Sequence, residues 1–161
     1  MAILRSTLIA LAAALLLALP ALAQDQIKIE DAYARVSGGK GGAASVYFLI
    51  RNTSDADLTI LTASVDLAQM AGLHTHKESA DGMMQMLEIE DGIPLAAGAT
   101  HAFARGADHV MAMGLTKALA DGDMIAVTLT FDAADPVTFE ALVDNERSLA
   151  PATPDQPSTG G

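Results

Sequence analysis

All four histidines of the 161-residue chain (His74, His76, His101 and His109) fall between positions 74 and 109. Six of its eight methionines, Met70, Met83, Met84, Met86, Met111 and Met113, lie between 70 and 113. A methionine on its own is ordinarily core filler, but packing alone does not require His and Met to gather in one short window. Imidazole plus thioether, without thiolate, is a soft-to-borderline donor set. It suits Cu(I), whereas Zn²⁺ or Mn²⁺ would favour added carboxylate. Thioethers also hold Cu(I) in an oxidising compartment without forming disulfides, although they can be lost to sulfoxide. Cysteine is absent. That excludes disulfide staples, zinc fingers, thiolate copper sites and Cys nucleophiles, and it leaves no lipid-modified Cys to anchor the chain.

Spacing narrows the candidates. In His109-Val110-Met111 the two donors sit at i and i+2, which on a strand places them on one face. Met84 and Met86 share a face in the same way, and His74-Thr75-His76 is a second pair at that interval. Antiparallel neighbours could bring His74, Met86, His109 and Met111 around one point.

The elements that would position them read as strands. Apolar residues recur with period 2 through Gln26–Arg35, Val46–Ile50, Leu58–Val65, Met83–Ile89, Thr100–Arg105, His109–Met113, Met124–Phe131 and Val137–Val143. Ser37-Gly38-Gly39-Lys40-Gly41-Gly42, Asn52-Thr53-Ser54-Asp55, Asp81-Gly82, Asp91-Gly92, Gly106-Ala107-Asp108 and Asp121-Gly122-Asp123 supply the turns between them. About eight short strands at this spacing predict an all-β, immunoglobulin-like or cupredoxin-like Greek-key antiparallel β-sandwich. Only Val65–Gly72 and Leu115–Ala120 read as helical, each a turn or two.

The chain ends have their own character. Residues 1–23 combine Arg5, an uninterrupted apolar run Leu8–Leu19 of 12 residues, and Pro20-Ala21-Leu22-Ala23. They read as a secretory signal cut after Ala23; a spanning helix would need about 20 apolar residues. The domain is then expected over 24–147 and a disordered, Pro-containing tail over 148–161. Without Arg5 the chain keeps 8 basic residues against 20 acidic ones. Such an acidic balance excludes a general nucleic-acid binder and is compatible with attracting cations or a basic partner. An exported, periplasmic protein without a stable membrane anchor, acting as a monomer, is expected.

His74, then Met86, then His109-x-Met111 resembles the H-x10-M-x21-H-x-M signature of the periplasmic copper chaperones called PCuAC, with one extra residue in each of the two gaps. Both extra residues fit loops, near Ser79–Asp81 and Glu90–Ile93, so the strand-borne donors keep their phase. Flanking text is similar too: Asp31-Ala32-Tyr33-Ala34-Arg35, Gly42-Ala43-Ala44, His109 through Leu115, and Gly122-Asp123 leading into Val127–Phe131. The resemblance runs from about residue 26 to 143. It implies a cupredoxin-like sandwich holding one Cu(I) through His74, Met86, His109 and Met111. It also implies delivery toward cytochrome c oxidase, with an oxidase subunit or a thioredoxin-like copper chaperone as recipient.

Other candidates carry weaker expectations. His76 is the natural substitute for His74 if that segment is extended. Met84 and Met113 share faces with the donors and are candidates for additional ligands, but are expected first as an apolar surround; Met83 is expected as core, and His101 as a solvent-exposed histidine. Asp108 and Glu78 could join a harder site, which keeps a zinc or Cu(II) protein as an alternative, beside a scaffold domain that binds no metal. A blue-copper carrier needs a Cys ligand, and none exists, so a non-enzymatic carrier is the leading reading. Its copper is expected at the mouth of the sandwich, with His109 and Met111 at an exposed rim where their loss leaves little cavity.

Overall fold

The computed structural model describes residues 26–147, so the leader expected over 1–23 and the tail expected over 148–161 lie outside the described residues. Ten strands form among the described residues: β1 Ile27–Ser37, β2 Ala43–Asn52, β3 Leu58–Val65, β4 Ala68–Glu78, β5 Met84–Glu88, β6 Ile93–Leu95, β7 Thr100–Phe103, β8 His109–Leu115, β9 Met124–Phe131 and β10 Val137–Val143. They pair along one path, β5-β4-β8-β2-β1-β10-β9-β3-β6, with β7 on the second half of β2. The all-β expectation is borne out. Every pairing is antiparallel except β1 with β10, which is parallel through Tyr33↔Leu142 and Ala34↔Val143. A register shift between Glu30 and Tyr33 marks a bulge in β1, with Asp31 at φ 59°. Bulges bend and twist the strand that carries them, and it is the half of β1 beyond this bulge that meets β10 as well as β2.

The path folds over a single apolar cluster. Val46, Phe48 and Ile50 of β2 and Val110 and Ala112 of β8 meet Ile60 of β3 and Ile125, Val127 and Leu129 of β9 within it. In β9 the period-2 pattern of the sequence is obeyed literally, with Ile125, Val127, Leu129 and Phe131 buried in turn. In β3 the phase slips at a bulge between Ile60 and Thr62, which leaves Leu61 exposed.

Two short helices were expected, and neither forms among the described residues. At Val65–Gly72 the backbone groups are claimed by other strands. Asp66 N–H donates to Ala126 O, the Asp66 carboxylate accepts Ala126 N–H, and Leu67 O accepts Thr116 N–H. With those partners taken, the chain turns at Asp66-Leu67 and continues as β4. At Leu115–Ala120 the strand β8 runs to Leu115, and the Asp123 carboxylate then accepts Ala120 N–H in a loop. Sequence periodicity did not supply β4 or the short β6, and β4 is the middle strand of the site.

Candidate metal centre

Three adjacent strands carry the donors. With β4 in the centre, β8 pairs it on one side through His74↔His109 and Gly72↔Met111. On the other side β5 pairs it through His76↔Met86 and His74↔Glu88. Residues opposite one another in a ladder point to the same face, so His74, His76, Met86, His109 and Met111 share one face. Leu73 and Val110, their neighbours in sequence, point into the core instead. The cluster therefore lies on the outer face of the β5-β4-β8 sheet rather than at the mouth of the sandwich.

His109 is the best-defined member. It is 1% exposed, which overturns the expected exposed rim. Tyr47 and His74 pack against its ring at centroid distances of 6.1 and 6.2 Å, and His76 stacks on it at 5.0 Å. Its Nδ1 lies 3.1 Å from Ala107 O. A carbonyl can only accept, so Nδ1 carries the proton and Nε2 keeps its lone pair. That Nε2 is buried and makes no hydrogen bond, and the same is true of Nδ1 in both His74 and His76. Buried polar atoms are nearly always satisfied, so three such nitrogens in one cluster form a donor set without a protein partner. Burial pushes the His109 pKa below its ordinary value, and His76 and His74 act in the same direction against the Ala107 carbonyl and Asp108. The imidazole is accordingly neutral near pH 7, the form that binds metal.

Met111 is half-buried, and its sulfur accepts a hydrogen bond from Ser45 Oγ at 3.4 Å. Gly72, opposite it, leaves the space beside His74 open: a Cβ there would stand 3.3 Å from Glu88 Oε1 and 3.6 Å from His74 Cε1. Met86 is 44% exposed and sits across from His76, not His74. His76 is thus brought into the cluster alongside His74. Met84 and Met113, expected as an apolar surround, are exposed toward strand ends, opposite Glu78 and Met70 respectively. Met83 is 64% exposed in the β4–β5 loop, not core. His101 stands apart on β7, bonded to Asp108 at 3.0 Å and edge-on to Phe103. Among the described residues no three His, Asp or Glu side chains are disposed to hold a metal ion. A metal in this cluster would have to draw on methionine sulfur.

Ser45, Tyr47, Gly72 and Glu88 were not singled out in the sequence. Ser45 and Tyr47 alternate with core residues on β2, so period 2 marks them as outward-facing. Only register brings them against β8.

The profile of the LpqE-like lipoprotein family matches residues 27–143, the whole strand-bearing span. The chain belongs to the LpqE-like family. Its fold is similar to the apo PCuAC domain from PmoF1, with 23% identity over 74% of this chain and 93% of that one and a TM-score of 0.61. The copper-bound PCuAC domain from PmoF2 matches with 24% identity over 74% and 92% and a TM-score of 0.58. The solution structure of CuI-DR1885 from Deinococcus radiodurans matches with 24% identity over 78% and 84% and a TM-score of 0.54. No curated protein matches the sequence. The recognition drawn from the His/Met signature is therefore borne out, and the β-sandwich with it. No helix among the described residues of this LpqE-like chain is long and apolar enough to cross a membrane.

Proposed function

We propose that this LpqE-like protein is an exported copper carrier that binds one Cu(I) on the outer face of the β5-β4-β8 sheet and releases it by ligand exchange. His109 Nε2, an imidazole nitrogen of His74, and the sulfurs of Met86 and Met111 are its ligands, with His76 able to replace His74. The observation that carries the reading is the trio of buried, unpartnered imidazole nitrogens flanked by thioethers on adjacent strands. Its further support is a fold shared with domains described as copper-bound and CuI-bound.

The chemistry follows from the donors. Imidazole and thioether are neutral, so they stabilise a soft monovalent ion without a carboxylate that would favour a harder one. Cu(I) has a filled d shell and tolerates two, three or four ligands. A recipient can therefore displace one thioether at a time, beginning with the exposed Met86. No general base or open hydrolytic position is required, and the protein acts without turnover. Residues 1–23 serve as the export signal to the periplasm and 24–147 as the copper domain. A copper-accepting oxidase subunit or a thioredoxin-like chaperone is the recipient.

The test is anaerobic Cu(I) titration against a competing chelator, followed by X-ray absorption on the loaded protein. One equivalent with both nitrogen and sulfur scatterers is expected. A shell of nitrogen and oxygen alone would remove Met86 and Met111 from the site.

A further inference from the structure

Next to the cluster lies a second feature that the copper reading does not use. A cavity of about 340 Å³ opens on the side of Met111 away from β4, lined by Arg35, Arg105, Ser45, Tyr47, Asn145 and Met111 among others. No Asp or Glu lines it, although the chain holds 20 acidic residues against 9 basic ones. Two other cations of this protein find carboxylates: Lys28 pairs with Glu30 and Arg147 with Asp31, each at 2.7 Å. Neither Arg35 nor Arg105 has an acidic partner within salt-bridge distance among the described residues. Arg35 is nevertheless held in place, because its Nη1 donates to Arg147 O at 3.1 Å. That leaves the rest of a rigid five-donor fork uncommitted.

Two guanidinium groups sharing a cavity repel one another, and no carboxylate among the lining residues offsets them. Arginine forks match planar oxyanions in two-point geometry, and such charge-assisted bonds are the strong ones. The side chains that remain suit the same ligand. Tyr47 brings a hydroxyl, the Ser45 hydroxyl is already turned toward the Met111 sulfur, and the Asn145 amide is fixed, accepting from Val36 N–H and donating to Asp121. We propose that this cavity is a subsite for a carboxylate, held by Arg35 and Arg105. Seated there, the carboxylate lies against Met111, whose other side faces the His/Met cluster. An acidic group on a recipient would in this way be docked beside a copper ligand, and a site of neutral donors carrying a cation would attract it further. The link to copper rests on the function proposed above; the carboxylate subsite does not.

The experiment accordingly uses the metal-free protein. Amide and arginine side-chain resonances are followed by NMR during titration with succinate, with a capped Gly-Glu-Gly peptide, and with succinamide as the neutral control. Saturable shifts confined to Ser45, Tyr47, Met111 and the two arginines are expected with at least one carboxylate probe and none with succinamide. Saturation by succinate identifies a free carboxylate as sufficient, and saturation by the peptide alone identifies a protein side chain as the source. Arg105 is exposed on the turn between β7 and β8, so Arg105→Gln is expected to fold normally and to bind about tenfold more weakly, the size of one charge-assisted contact. Arg35→Gln with Arg105→Gln should abolish saturation. Absence of saturable shifts with both carboxylates, or an unchanged affinity in Arg105→Gln, would overturn the proposal. A failure of copper binding would leave this result untouched.

Discussion

Replacing His109 by Ala separates a buried ligand from one on an exposed rim, because the two predict different stabilities for the metal-free protein. His109 is 1% exposed and packed by Tyr47, His74 and His76. Truncating a buried aromatic ring to alanine costs about 3–5 kcal/mol, including the cavity left behind. The lost bond from Nδ1 to Ala107 O falls within that figure, at about 1 kcal/mol. Acting the other way, the substitution removes the unpartnered Nε2, whose burial costs about 1–3 kcal/mol. The net expectation is a loss of about 2 kcal/mol, against less than about 0.5 kcal/mol at an exposed position. For a domain of this size that corresponds to a drop in Tm of roughly 6–10 °C. Urea denaturation of the metal-free His109→Ala protein measures it directly. His109→Leu refills the space without an unpartnered nitrogen and should recover most of the loss, while neither variant binds Cu(I) as the parent does. A metal-free His109→Ala protein within 0.5 kcal/mol of the parent would refute the packing argument.

Met111→Leu keeps volume and hydrophobicity, so it should cost less than about 1.5 kcal/mol in stability while weakening Cu(I) in chelator competition; equal Cu(I) affinity would take Met111 out of the ligand set. Acidification should destabilise the metal-free protein. The folded pKa of His109 is lowered by burial, with His74, His76 and Asp108 beside it, so the unfolded chain takes up the proton first. Stability is then held above the ordinary value of about 6.5 and lost as pH falls from there through the folded pKa. Urea midpoints across that range would test this, and a midpoint that does not move, or one that moves equally in His109→Leu, counts against the assignment. Gly42→Ala should disrupt the β1–β2 turn, because an added Cβ would run into Ser37 O; thermal melts of the variant should show a loss of more than about 1 kcal/mol, and an unchanged melt would mean the turn can yield.

The amino-acid sequence by itself determined the class of fold and the chemistry of the donors. The alternation in Met124–Phe131 could only be a half-buried strand. The joint window of His and Met, with no cysteine anywhere, left a soft and neutral donor set. What it could not determine was which of these residues oppose one another, since register is set by bulges and by contacts far away in sequence. Val65–Gly72 read as a turn or two of helix. It became the start of β4 because Ala126 and Thr116 claimed its hydrogen bonds. That strand put His74 across from His109 and His76 across from Met86, so His76 joins the cluster that the sequence drew around His74. The burial of His109 was also out of reach of local pattern. Period 2 marks it as outward from the core, yet Tyr47 from β2 and two histidines from β4 close over it. A residue's face follows from its own strand, whereas what covers that face is decided only when other strands arrive.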